Sequence, residues 1–286
     1  MPVGGQAIIE GVMMQNGGRV VIAVRNPQGE IVVEELPGAG RFGRWERIPF
    51  IRGPLKLWEM LSLGMRALSR SAEIAYGEKQ GKGEFALTVL LAILVVIGGF
   101  VVLPLFLAGL LPTGNGILFN LVEGAIRVVL FLLYIWGISF FRDIRRLFQY
   151  HGAEHKSVHA YESGRGFSLE AARKASPLHP RCGTTFLLFS AVLAILVFSL
   201  IVSSSFWVKL VGRLLLLPVV VSVSYEVLRL GGKYPNSPLV KPLIWPGLLL
   251  QKLTTREPED DQLKVALAAL RHAVEGASAA SRSTVA

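Results

Sequence analysis

The chain has 286 residues, of which 52 % are hydrophobic, and a mean hydropathy of +0.50. That composition suits a membrane protein better than an ordinary soluble domain. The formal charge is +10, but basic residues set beside apolar spans point to anionic lipid contact and cytoplasmic loops, so no nucleic-acid partner is expected. The single cysteine, Cys182, cannot form an intramolecular disulfide and needs no oxidising compartment. The opening "MPVGGQAIIEGVMM" lacks the basic start and apolar core of a cleavable signal, so the residues before the first span are expected to stay in the cytoplasm.

In chain order, the apolar runs "RVVIAVR" and "EIVVEEL" flank the turn signal "NPQG". They predict a hairpin turning at Asn26 to Gly29 and a small β-element within residues 1–50. From Pro54 to Tyr76 the apolar residues Leu57, Trp58, Leu61, Met65, Leu68 and Ala72 recur at helical spacing, with Lys56, Arg66 and Arg70 elsewhere on the wheel. Residues 51–84 are therefore expected to hold an amphipathic helix. It either lies on the anionic inner leaflet or packs on the β-element.

A membrane domain is expected over residues 85–228, with spans at 86–111, 117–141, 184–206 and 208–228, each near the roughly 20 residues that cross a hydrocarbon core. In the second, Glu123 and Arg127 stand one turn apart and can pair. The fourth carries Arg213 and Glu226 with Pro218 between them, and Lys209 and Arg213 leave a re-entrant segment as its alternative. The loops "PTGNG" and "SSS" hold no Lys or Arg, whereas the segments before the first span and between the second and third hold many. Both termini and the loop 142–183 are thus expected in the cytoplasm. Within 229–275, "SPLVKPLIWPGLLLQKL" is broken by prolines and reads as interfacial. "EPEDDQLKVALAALRHAVEG" reads as a helix with its acidic residues first and basic ones later. Residues 276–286 read as a disordered tail. The expected fold is mainly α: a polytopic helical membrane protein with about four transmembrane helices and a small N-terminal β-element.

The chemistry concentrates in "YHGAEHKSVHAYE", residues 150–162, expected on a helix running on from the second span to Gly164 and Gly166. His151 and His155 are four apart, so they share a face and can hold one ion, and His159 extends the stripe. "HGAEH" matches the inverted zinc-peptidase order, in which Glu154 would polarise a water. The same residues also fit a solvated helix face. "LHPRCGTT" places His179 and Cys182 at ligand spacing before the third span. Both motifs emerge at one membrane face, so His151, His155, His179 and Cys182 can meet around one ion, for which zinc is the natural choice. The alternative makes Cys182 a buried small hydrophobe and His179 a turn residue. Glu226, in "SYEVLR", is an acidic group at the end of a span, a functional candidate or a partner for Arg229 or Lys233. Glu10 is flanked by Gly4, Gly5 and Gly11 and is either functional or a solvated strand residue. There is no phosphate-cradling glycine-lysine loop and no Gly-x-Ser-x-Gly elbow.

Taken in order, "GGQAIIEGVMM", "YHGAEHKSVHAYE", "HPRCGTTF", "SYE" and "LTTREPEDDQLKVALAAL" resemble the YqhQ-like family of bacterial membrane proteins. That family is of unknown function and is described as predicted metal-dependent enzymes. The resemblance implies a metal-dependent activity in the bacterial inner membrane and is silent on substrate. The leading expectation is a hydrolase at the cytoplasmic face. His151 and His155 hold zinc or another divalent transition metal, His179 or Cys182 completes the set, and Glu154 or Glu226 serves as general base. Were all four nitrogen and sulfur groups to bind, the site would be closed, as structural sites are. The rival reading is then a scaffold or assembly factor with a structural metal. A third reading, a small transporter, is suggested by Glu123, Arg127 and Arg213, against four spans and no internal repeat.

Overall fold

The structure, a computed structural model, describes residues 3–38, 42–77, 81–113, 116–179, 182–203, 205–234, 237–238 and 241–283. Its N-terminal part is a four-stranded antiparallel meander, β1 (Gly4–Ile8), β2 (Gly11–Asn16), β3 (Arg19–Arg25) and β4 (Ile31–Leu36), in the order β1-β2-β3-β4. The expected hairpin is β3–β4: Arg25 pairs with Ile31, and Asn26 closes the turn by accepting from Glu30 N through Oδ1 at 2.8 Å. Asparagine is suited to this because its short side chain bonds the backbone of its own turn.

Strand β3 has no wet face. Val20, Ile22 and Val24 point one way and Val21 and Ala23 the other, and all are buried. The first set meets Leu63, Ala67 and Ala75 of α1 (Arg52–Tyr76). The second meets Tyr150, Ala153, Leu263, Ala266 and Leu270. A strand buried on both sides explains why "RVVIAVR" is apolar at consecutive positions instead of alternating. With about 1.5–3 kcal/mol for each large apolar side chain buried, this three-layer core holds together elements from both ends of the chain. Helix α1 is therefore packed on the sheet, and its opposite face leaves Trp58 and Leu61 exposed. It ends at Gly77, whose φ of 75° supplies the left-handed cap.

Among the described residues, three helical stretches are long and apolar enough to cross a membrane, at Ala86–Gly109, Ile117–Ile138 and Phe206–Gly231, and a shorter apolar helix covers Gly183–Phe198. The first combines α2 (Lys82–Ile97) and α3 (Leu103–Gly109) through one π-helical turn at Gly98–Val102. The second is α4 (Ile117–Ile138). Two expectations are revised here. Helix α4 does not run on into the histidine motif: it ends at Ser139, whose hydroxyl donates to Trp136 O at 2.7 Å, and Phe141 is extended before α5 (Arg142–Glu162) begins. Such local hydroxyl bonds compete with the helical ladder and favour helix ends.

After the short α6 (Leu169–Lys174), the third apolar element, α7 (Gly183–Phe198), stops well before residue 206. The fourth, α8 (Phe206–Lys233), is instead the longest helix. Serines favour caps and turns over helix interiors; Ser199 ends α7, and Ser205 caps α8 by accepting from Val208 N at 3.4 Å. Pro218 is accommodated inside α8, where Ser222 donates to its carbonyl at 2.6 Å. Helix α9 (Lys241–Thr254) packs along α7, with Gly247 against Thr185. Helix α10 (Asp260–Ser283) lies on the sheet and α5, and continues into the segment read as a tail; residues 284–286 lie outside the described residues.

Candidate metal centre

Helix α5 carries the motif, and it is enclosed. Tyr150, Gly152, Ala153, Glu154, His155, Lys156, Ser157 and Val158 are consecutive buried positions apart from His151, which is half-buried. A polar sequence buried this fully departs from ordinary amphipathic patterning, and such departures mark functional sites. The Lys156 ammonium is paired with Glu257, which holds α5 to the segment before α10. Gly152 makes that approach possible, because a Cβ there would run into the carbonyl oxygen of Arg256.

Three side chains converge at the α5–α7 junction: the ligand atoms of His151, His155 and Cys182 lie within 4.8 Å of one another. His151 Nε2 is 3.2 Å from Cys182 Sγ. Each histidine is held by its other nitrogen, His151 Nδ1 to Thr254 O at 2.8 Å and His155 Nδ1 to Pro177 O at 2.5 Å. A carbonyl can only accept, so each Nδ1 donates, and in the neutral imidazole Nε2 is then the nitrogen free to ligate. That is the outer arrangement found around metal-ligating histidines. Cys182 is the N-cap of α7: Thr184 N donates to its Sγ at 3.5 Å, and Thr184 Oγ1 lies 3.2 Å away.

The other histidines stand beside this trio. His179 is buried, its ring centroid 5.7 Å from that of His155 and 4.6 Å from that of His159, with Nε2 3.5 Å from Glu162 Oε2. Its backbone is clamped by Gln251, which accepts from His179 N at 2.8 Å and donates to His179 O at 2.9 Å. His159 Nε2 donates to Leu178 O at 2.7 Å. Pro180 and Arg181 of the same motif lie outside the described residues.

The three carboxylates separate. Glu154 is with the trio: it is 7 % exposed, and its Oε2 is 3.5 Å from His155 Nε2. Burial pushes its carboxyl up to about 7, against a smaller lowering by His151. It also lies directly under β1, where a Cβ on Gly5 would come within 2.6 Å of Glu154 Cγ. Glu10 is not a solvated strand residue but the corner between β1 and β2, at φ 51°, where it binds Arg146 through Nη2 at 2.6 Å and accepts from Tyr150 Oη at 3.2 Å. Glu226, on α8, is bound to Arg52, whose Nε donates at 2.8 Å, and accepts from Phe50 N at 3.2 Å. It is held there by the start of α1, with neither Arg229 nor Lys233 among those partners.

Residues 48–276 match a family described as "Protein of unknown function (DUF1385)". The chain belongs to this family. It is similar to "Uncharacterized protein YqhQ" of Bacillus subtilis (strain 168), with 36 % identity over 290 residues covering 92 % of this chain and 89 % of that protein. No solved structure matches.

The DUF1385 match begins at residue 48, whereas the structure draws part of the centre from earlier in the chain, through Gly5 on β1. Several supporting groups have no side-chain signature. The carbonyls of Thr254 and Pro177 that orient His151 and His155 are available from any residue type. Others do leave a trace. Gly152 is a glycine inside a helix, which costs roughly 1 kcal/mol against alanine and signals a close backbone approach. Gln251 is an amide in the apolar run "LLLQKL" and is fully buried, so it had to find partners.

Proposed function

We propose that this protein is a membrane-bound, metal-dependent hydrolase whose centre is His151, His155 and Cys182, at the cytoplasmic face. The observation that carries this reading is the pair of Nδ1 anchors: Thr254 O and Pro177 O fix both rings, His151 Nε2 lies 3.2 Å from Cys182 Sγ, and the ligand atoms of all three residues lie within 4.8 Å of one another. Two nitrogens and one sulfur suit zinc or another borderline divalent transition metal. Three protein ligands leave a fourth position free, the pattern of catalytic zinc sites, and an ion held there would supply Lewis-acid activation of water. Glu154, next to His155 Nε2, is the carboxylate placed to take or return a proton, while Glu226 is committed to Arg52. The apolar exposed surface of α2, α4 and α8 supports insertion in the membrane, and the lysine- and arginine-rich segments flanking it support a cytoplasmic centre against an anionic leaflet.

A second reading has its own observation. His155 is 2 % and Cys182 8 % exposed, and buried His179 stands beside His155. A shift of His179 into the set would close it and make the metal structural, in a scaffold or assembly protein. Elemental analysis of the purified wild type beside His155→Ala and Cys182→Ser tests both. About one transition metal per chain in the wild type and none in the variants supports the centre, and a metal-free wild type sinks it. His179→Ala then separates the two readings: retained metal supports the open, catalytic site, and lost metal with lost fold supports the structural one.

A further inference from the structure

The opposite end of the helical bundle holds a second polar group, built from cations. Helix α7 is 16 residues long, so Phe198 lies about 24 Å along its axis from Cys182 at 1.5 Å per residue. Around Phe198 stand Arg127 of α4 and Arg213 of α8, their guanidinium carbons 4.9 Å and 5.8 Å from the ring centroid. One carboxylate serves both: Glu123 is paired with Arg127, and Arg213 Nη2 reaches Glu123 Oε2 at 3.2 Å and Asn120 Oδ1 at 3.1 Å. Lys209, one turn before Arg213, lies 3.4 Å over the Phe119 ring. All five polar residues are buried, Arg213 and Glu123 to 1 % exposure.

The charges do not balance. The sequence holds one acidic residue between Glu84 and Asp143, which is Glu123, and none between Glu170 and Glu226. Arg127 and Arg213 therefore share the one carboxylate of Glu123, in a setting where uncompensated charge is costly. The hydrogen bonding is incomplete as well. Arg127 Nε donates to Phe100 O at 2.9 Å, but Arg127 Nη1, Arg213 Nε and Arg213 Nη1 are buried without an acceptor among the described residues. The Phe198 ring offsets part of this through its quadrupole, but a neutral ring cannot cancel a net charge. Guanidinium donors in a planar fork are suited to an oxyanion of phosphate type.

We propose that Arg127 and Arg213, backed by Lys209, form a binding site for a phosphate-type anion between α4, α7 and α8, at the membrane face opposite the histidine–cysteine centre. The anion is either the phosphate of a lipid headgroup or a free inorganic oxyanion. The site is independent of the metal reading and survives its failure.

The test uses the full chain in dodecyl maltoside, a detergent without phosphate. Phosphorus per chain is measured after exhaustive washing, and thermal unfolding is then followed in two titrations. In one, sodium phosphate replaces sodium chloride at constant ionic strength; in the other, phosphatidylglycerol is added in chloride. The expected result is either about one retained phosphorus per chain or a saturable rise in unfolding temperature. A rise with inorganic phosphate identifies a free oxyanion, and a rise with phosphatidylglycerol alone identifies a lipid headgroup. Both signals should be lost in Arg213→Gln or, should that variant not fold, in Arg127→Gln. A wild type with no retained phosphorus and no saturable rise overturns the proposal whether or not either variant folds, as does a folded variant that behaves like the wild type.

Discussion

His151 Nε2 lies 3.2 Å from Cys182 Sγ across 31 residues of chain. The contact joins the middle of α5 to the cap of α7, and so couples the sheet-bound part of the molecule to its apolar helices. An ion bound by both residues, and only in the folded chain, stabilises the fold by mass action, by about 2.7 kcal/mol at a free concentration of a hundred times the dissociation constant. Added zinc should therefore raise the unfolding temperature of chelator-treated protein. Cys182→Ser should erase that rise, and a differential scanning measurement in both states checks it.

Gly152 is the point where α5 touches the backbone at Arg256, two residues beyond the carbonyl that orients His151. Gly152→Ala forces the two segments apart. Overpacking of this kind costs roughly 1–3 kcal/mol, and displacing an orienting group weakens metal binding by about 10–100-fold. A competition assay against a zinc-binding dye should show the loss. Gly137→Ala, at a position with nothing within 4 Å, should leave zinc affinity unchanged.

Tyr150 is fully buried and donates to Glu10, and its hydroxyl is pushed up to about 12, first by burial and then by the Glu10 charge. A folded value above the ordinary value of about 10 means that the fold prefers the protonated phenol. This contribution to stability is complete below about pH 10 and is lost as pH rises through about 12. Difference absorbance of the wild type against Tyr150→Phe should show one tyrosine ionising after the others. Glu10→Gln should bring that ionisation part of the way down, and a Tyr150 that titrates with the rest would refute the assignment.

Glu226 and Arg52 tie α8 to the start of α1. Glu226→Gln weakens a charged hydrogen-bonded pair that is mostly buried, so a loss of about 1–3 kcal/mol is expected in chemical unfolding. Metal content should not change. Glu154→Gln should show the reverse pattern once a substrate is found, with the fold kept and the turnover lost.

Much of the architecture is legible in the residues. "NPQG" between two apolar runs gives the β3–β4 hairpin, and the long uncharged run at 86–111 gives the α2–α3 span. The four-residue step from His151 to His155 puts both rings on one face of α5. The errors have local causes. Ser199 stands at the C-terminal end of α7, Ser205 caps the start of α8 and Ser222 bonds the Pro218 carbonyl, while hydropathy averaged over a window cannot resolve where a single hydroxyl bonds the backbone. The break between α4 and α5 falls at Ser139, the C-cap of α4. Glu10 looked like a strand residue because neither its positive φ nor its distant partner Arg146 is written in its neighbours.

The sequence by itself determined the class of the molecule, its apolar helices and the residue types of the centre, since these follow from composition and from short-range periodicity. Only the tertiary structure decided which of them meet. It brought His151, His155 and Cys182 together and left His179 against Glu162; it gave Glu154 to the site and Glu226 to Arg52. It also gathered Arg127 and Arg213 around Phe198 with Glu123 as their shared carboxylate. These relations depend on backbone carbonyls, glycine contacts and long-range packing, which are set by the whole folded chain and have no counterpart in any single stretch of sequence.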